Sequence, residues 1–375
     1  MQKKTFVTLF DRTENFHLVK DVGQIPYHMY KEFDYNSKIV TCKNDSDYSY
    51  LTDEVKGLEI EFVSKIKLFK FNLGVIFYLI RNAKKIDILN QFHIRNYTML
   101  YALIYKLLNK KGINYIKTDS NEKEIMGRTS IFKKKYLNII EKYVDIVSFE
   151  TKKPVELSIA NYETLSNKIF KITNGIDKNY VSSLNLENIS FQEKDNIIIY
   201  VARIGTYQKN TELFLKVLEK VDLKDWKVNI IGSIENHFKP IITEFFRKNS
   251  KLEDNVKFLG SITSREEIYK NYSKSKIFCM SSRYEGFPLV FPEALYFGNY
   301  IISTDISGAY DITSNEKYGK VIKDDNINEY ASVLNNLISS SFLNEKKCEE
   351  IKEYAKEEFT WQSIVKDLDT KLKGL

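Results

Sequence analysis

The sequence predicts a two-domain α/β protein in which parallel sheets are covered by helices, and three observations carry that reading. At 375 residues the chain is longer than one core supports, and roughly 150 residues per domain gives two. Short apolar, β-branched runs alternate with longer stretches of helical period, the pattern of strand–helix–strand units. A turn-forming Asn174-Gly175 within residues 173–177 separates two series of such units and reads as a hinge. The expected domains are residues 1–172 and 173–358, with a terminal helix over 359–375.

In the first half, strands are expected at residues 5–10, 37–42, 58–63, 86–92, 114–117 and 145–149, with helices over 96–109 and 131–143 between them. The second half repeats the plan. Residues 196–201 read as a buried strand, and Asn210 opens a helix with Leu213, Phe214, Val217, Leu218 and Val221 on one stripe. Further strands follow at 227–231, 256–259, 276–280 and 300–304. Ser264 with Glu267 forms a capping-box pattern, Pro288 suits the first turn of a later helix, and Gly298 suits its exit.

Composition narrows the classes. A hydrophobic share of 43% and a charged share of 29% describe a folded globular chain. Cys42, Cys279 and Cys348 are isolated and odd in number, which argues against a disulfide framework or a zinc site and for a reducing cytoplasm. The N-terminal run carries charges unlike a secretory signal. The longest uncharged apolar run, 71–80, is about half the ~20 residues a membrane-spanning helix needs. Net charge is +7, and it is unevenly spread: residues 60–145 hold 17 Lys or Arg against 7 Asp or Glu, a balance of +10 that leaves −3 elsewhere. A basic surface of this kind can meet nucleic acid, anionic lipid or a phosphate-bearing substrate.

In open parallel sheets, ligands sit beyond the carboxyl ends of the strands, where loops run into helix N-termini. The loop after 201 contains Arg203, Gly205, Lys209 and Asn210, gathering two cations and a glycine at a helix start, which is phosphate chemistry. The loop after 280 places Glu285 at a strand end, Gly286 beside it and Glu293 on the helix behind. Two carboxylates in such positions suit a polyhydroxylated ligand, because they accept hydrogen bonds from sugar hydroxyls.

Residues 285–293, Glu-Gly-Phe-Pro-Leu-Val-Phe-Pro-Glu, resemble the E-x7-E signature of family 4 retaining glycosyltransferases of the GT-B fold. The hinge at 172–177, the Arg203 and Lys209 loop, the strands at 228–232 and 256–260, Ser307-Gly308 and Thr360-Trp361 are similar to that family in order and spacing. The resemblance implies two Rossmann-like domains facing across a cleft, with the terminal helix packing back on the N-terminal one. It further implies a nucleotide-sugar donor held by Arg203 and Lys209 on the diphosphate, by the backbone of Gly286, Phe287 and Leu289, and by Glu293 on the ribose. Glu285 would contact the sugar. No metal or other cofactor is implied, because fixed cations stabilise the leaving diphosphate.

The first half departs from the family pattern. Where relatives carry paired glycines, this chain has Gly23 alone, a candidate for approach to the diphosphate. His93 resembles a histidine that contacts the donor sugar, and 117–119, Lys-Thr-Asp, can serve the acceptor. The positive excess suits a glycan or lipid-linked acceptor. Residues 131–143, with Lys133, Lys134 and Lys135 beside an apolar stripe, suit contact with an anionic membrane at its inner face. The implied setting is bacterial surface-polysaccharide or glycoconjugate assembly with a UDP-sugar donor. The competing readings are a non-catalytic binding or chaperone subunit, a metal-dependent transferase using Asp45-Ser46-Asp47, and a nucleic-acid binder, which lacks any supporting motif.

Overall fold

The computed structural model describes residues 3–120, 122–126 and 131–375. These divide into two compact units, Met1–Asn174 joined by Trp361–Leu375, and Gly175–Thr360. The division falls at 174/175 and 360/361, against the expected 172/173 and 358/359.

The strands of the first unit are β1 (Thr5–Leu9), β2 (Asn36–Thr41), β3 (Glu59–Phe62), the short β4 (Lys67–Leu68) and β5 (Phe71–Asn72), then β6 (Ile88–Phe92), β7 (Ile113–Thr118), β8 (Ile146–Phe149) and β9 (Ile169–Lys171). All but β4 and β5 form one sheet in the order β3-β2-β1-β6-β7-β8-β9, parallel throughout. β4 and β5 make a separate antiparallel hairpin. The central strands β1 and β6 are buried on both faces, including the polar Thr8, Asn90 and Gln91. Helix Asp21–Phe33 lies against the terminal helix Trp361–Lys373, and Ile25, Met29, Trp361, Ile364, Val365 and Leu368 share one core cluster with Phe6 and Tyr35. Tyr35 Oη donates to Asp369 Oδ1 at 2.8 Å across that contact. The last residues of the chain therefore complete the first unit's core.

In the second unit β10 (Ile197–Val201), β11 (Lys227–Ile231), β12 (Val256–Gly260), β13 (Ile277–Met280), β14 (Tyr300–Thr304) and β15 (Gly319–Ile322) order as β12-β11-β10-β13-β14-β15, again all parallel. The expected strands all occur within a residue or two of their sequence bounds. β9, β15 and the β4–β5 hairpin were not anticipated: β9 and the hairpin strands are two or three residues long, too short to show a period, and β15 has Gly and Lys in its four residues.

Several helix starts differ from expectation. The helix after β13 runs Val290–Tyr296 with Leu289 at its N-cap, so Pro288 precedes the helix instead of opening it. Glu293 is consequently in the first turn of that helix. Asn210 does precede helix Thr211–Leu218, but in the left-handed conformation (φ 49°) and without a side-chain cap, so it turns the chain and does not cap it. Ser264 accepts from the Glu267 amide as expected of an N-cap. Residues 131–143 are helical, but the side chains of 131–135, on which the membrane expectation rests, lie outside the described residues. Among the described residues no helix is long and apolar enough to cross a membrane.

Candidate functional site

In each sheet the strand order reverses once, between β1 and β6 in the first unit and between β10 and β13 in the second. At such a reversal, neighbouring loops leave the sheet in opposite directions and open a crevice at the carboxyl ends. In the second unit these are the loops at 202–210 and 281–289, which carry the predicted donor residues.

The structure joins three of them in one network. Lys209 Nζ lies 2.5 Å from Glu285 Oε1, and both side chains are largely withdrawn from solvent. Gln208 Nε2 donates to Glu285 Oε2 at 3.0 Å and to the Tyr284 carbonyl at 3.2 Å. Arg203 Nη2 donates to Gln208 Oε1 at 3.2 Å and is itself exposed. The loop is held by its own strand ends: Tyr200 Oη donates to the Lys209 carbonyl at 2.9 Å, and the buried Ser281 hydroxyl lies 3.0 Å from the carbonyls of Lys209 and Asn210. Burial pushes the Tyr200 phenol up to about 12, despite the hydrogen bonds of Ser281 and Thr211, which keeps it a donor at every physiological pH. Gln208, Tyr200 and Ser281 were missed by sequence reasoning. A glutamine between two predicted phosphate-binding cations was the available signal for Gln208. For the other two, on apolar strand ends, there was none.

Glu293 stands apart from that network. Its surroundings are Tyr272 and Arg265 on helix Arg265–Lys274. Desolvation pushes its carboxyl up to about 7, although the Arg265 charge and the Tyr272 hydroxyl favour the ionised form. Glu293 is half-buried, and the raised carboxyl makes protonation near neutral pH accessible to it. The Phe287 ring is buried and stacks on Phe359 at 5.9 Å, which leaves its backbone as the part expected to bind. Among the described residues no hydrogen bond uses the amides of Gly286, Phe287 or Leu289.

In the first unit, His93 follows β6 at the reversal point with φ 63°. A left-handed backbone at a bulky residue is costly and is characteristic of functional positions. Its Nδ1 lies 2.9 Å from Asp119 Oδ1, and its amide donates to the Lys117 carbonyl at 2.7 Å. Burial disfavours the Asp119 carboxylate, but His93 and the Lys117 charge outweigh it and bring it down to about 2. Asp119 thus orients His93, a role not read from sequence.

One further expectation fails here. Lys117 is 1% exposed and points inward to Asp21 Oδ2 (2.9 Å), Glu150 Oε1 (2.7 Å) and Asn174 Oδ1 (2.9 Å), so it binds the hinge end of its own unit and not an acceptor. Burial opposes its charge, yet the two carboxylates keep it firmly protonated. Gly23 is buried in the first turn of helix Asp21–Phe33, where a Cβ would come 2.2 Å from the Leu18 carbonyl oxygen. The chain's own backbone therefore requires the glycine, a need the sequence reading did not supply. Gly23→Ala is expected to destabilise by about 1–3 kcal/mol through overpacking while leaving nucleotide affinity unchanged, as urea unfolding and ligand titration would show.

Asp45, the first acid of the Asp-Ser-Asp turn, accepts from the amides of Asn15 (3.2 Å) and Ser46 (2.8 Å). Among the described residues no group of three or more His, Cys, Asp or Glu is placed to hold a metal.

Residues 183–358 match the family described as glycosyl transferases, group 1. A 41.2 kDa protein of the cps region of Klebsiella pneumoniae is 25% identical over 342 residues, covering 88% of this chain and 87% of that one. The amylovoran biosynthesis glycosyltransferase AmsD of Erwinia amylovora is 32% identical over 164 residues, 43% of this chain and 44% of its own. HepE of Anabaena, solved in complex with UDP, superposes over 100% of both chains with a TM-score of 0.75 at 13% identity, which shows a shared GT-B fold. Residues 183–358 are thus similar to glycosyl transferases of group 1.

Proposed function

We propose that this chain is a retaining glycosyltransferase that moves a sugar from a nucleoside diphosphate sugar, with UDP as the leaving group, to a glycan or lipid-linked acceptor in bacterial surface-polysaccharide assembly. The observation that carries this reading is the Arg203–Gln208–Glu285–Lys209 network at the reversal point of the second sheet, inside the segment that matches group 1 glycosyl transferases. Negative charge grows on the leaving diphosphate as the glycosidic bond breaks, and cations fixed beforehand lower that barrier without a metal. Lys209 already has one anion, Glu285. A diphosphate beside it would share that cation, while Arg203, bonded only to the neutral Gln208 amide, offers its remaining donors outright.

Glu293 is assigned to the ribose hydroxyls, Glu285 and His93 to the donor sugar, and the amides of Gly286, Phe287 and Leu289 to the phosphates. UDP as the nucleotide is supported by the HepE complex, and the polysaccharide setting by the amylovoran and cps-region relatives. The chain is placed in the cytoplasm, at the inner face of the membrane.

The test is a thermal-shift screen of nucleoside diphosphates and their sugars on the full chain. A ligand that binds only the native state raises stability by RT ln(1 + [L]/Kd), about 2.7 kcal/mol at a hundredfold excess over Kd. UDP and one UDP-sugar are expected to raise the melting midpoint equally with and without EDTA. If no nucleotide sugar shifts it, the reading fails; a shift abolished by EDTA would remove the metal-independent mechanism.

A further inference from the structure

Outside the donor network, the first unit has a second hollow, of about 580 Å³, at the carboxyl ends of β1 and β2, and the β4–β5 hairpin forms one wall of it. Arg12, Lys65, Lys67 and Lys70 line it against two acids, Asp11 and Glu14. Among the described residues, none of the three lysines pairs with a carboxylate; Lys65 Nζ donates to the neutral Asn44 Oδ1 at 3.1 Å. Arg12 lies over the Tyr97 ring at 5.8 Å and only 4.0 Å from Asp11 at its nearest atom. The wall therefore carries unneutralised positive charge.

The hairpin is firmly built at its base and unusual at its tip. The buried Asn72 donates from its side-chain amide nitrogen to Cys42 Sγ (2.9 Å), accepts at Oδ1 from the amides of Ile66 (3.3 Å) and Gly74 (3.0 Å), and donates from its backbone amide to Tyr101 Oη (3.1 Å). The two-residue connection is Phe69-Lys70, where such turns favour Asn-Gly. Phe69 is held left-handed at φ 53° and is 90% exposed. A phenylalanine pays about 1–2 kcal/mol for that backbone and buries nothing in return within its own unit. Ile66 and Leu68 are about half exposed, and the following helix Leu73–Asn82 exposes Phe77 and Ile80. Large apolar side chains alternating with lysines are what a surface meeting lipid needs: the rings enter the acyl boundary while the ammonium groups reach phosphates.

We infer that the β4–β5 hairpin and the hollow behind it form a docking site for phosphate-bearing lipid headgroups, with Arg12 and the three lysines taking the phosphate and Phe69 entering the apolar layer. The occupant is the phosphate ester of an anionic phospholipid at a membrane surface. This deepens the inner-face placement in the transferase reading and rests on it for its role, but the binding is measured without turnover.

The experiment is flotation of the full chain with phosphatidylcholine vesicles, with and without phosphatidylglycerol. Binding only to the anionic vesicles is expected. Phe69→Asn, which suits a left-handed turn, is expected to weaken partitioning about tenfold, from the loss of one buried aromatic. The triple change Lys65→Ala, Lys67→Ala and Lys70→Ala is expected to weaken it about a hundredfold at low salt. Inorganic pyrophosphate, at ionic strength matched with sodium chloride, is expected to release the wild-type chain. Wild-type protein that does not float with anionic vesicles, or a triple variant that floats as well as wild type, overturns the proposal; flotation indifferent to pyrophosphate overturns the hollow as the phosphate site. Nucleotide-sugar thermal shifts, run on the same variants, are expected to match wild type. Loss of those shifts in the wild type would instead count against the transferase reading alone.

Discussion

Arg203→Ala is expected to lower kcat/KM for sugar transfer by about a hundredfold or more while leaving the melting midpoint where it is. The size follows from removing one preorganised cation from a developing diphosphate, about 3 kcal/mol of barrier. The unchanged stability follows from the exposed guanidinium, whose bond within the network is to a neutral amide at 3.2 Å. Lys209→Ala is expected to cost at least as much in transfer and also to destabilise the fold, because Glu285 would be left as a largely buried carboxylate with only Gln208 beside it. Breaking such a pair costs about 3–5 kcal/mol. Adding Glu285→Gln should recover most of that stability and none of the transfer. Steady-state kinetics with thermal unfolding on the four proteins separates the effects. Wild-type kcat/KM in Arg203→Ala would remove the diphosphate role from this loop.

Glu293→Gln is expected to stabilise the protein at pH 8 by up to about 3 kcal/mol and to change little at pH 4, while weakening nucleotide binding. The sign follows from the carboxyl's position near 7 in the folded state against about 4.3 when unfolded. Below 4 both states are protonated. Between roughly 4 and 7 the unfolded chain has lost its proton and the folded chain keeps it, so the folded state binds more protons and stability falls as pH rises. Above 7 the native carboxyl must ionise against burial, and the full cost is present. Glutamine has no such cost. A desolvated acid that weakens the fold at working pH fits a group kept for binding, as functional positions often are. Urea unfolding of both proteins from pH 4 to pH 8 measures it. Parallel stability curves across that range would show that Glu293 does not titrate as described.

The large strands and the order of the units were legible because each depends on short stretches of chain. Residues 197–201 and 277–280 are apolar on both faces in any parallel sheet covered by helices. The loops bearing Arg203, Lys209 and Glu285 could be named from the general rule that strand carboxyl ends carry the ligand. Lys117 was misread, and the packing need at Gly23 was missed, for a common reason. Each sits at a strand end or helix start of the right kind, and its neighbours in space, Asp21 with Glu150 and then Leu18, are what the sequence does not name. Spacing along the chain does not contain those distances.

By itself, the sequence determined that there are two parallel-sheet α/β units, which loops stand at the carboxyl ends of their strands, and that the positive charge is concentrated in the first half. Only the tertiary structure decided that Glu285 and Lys209 are partners, that Glu293 faces Arg265 and Tyr272, and that His93 is set by Asp119. Strand periodicity is a local consequence of burial on two faces. Ion pairing and desolvation depend on which distant segments meet within a few ångströms, and that is settled only when the sheets are assembled.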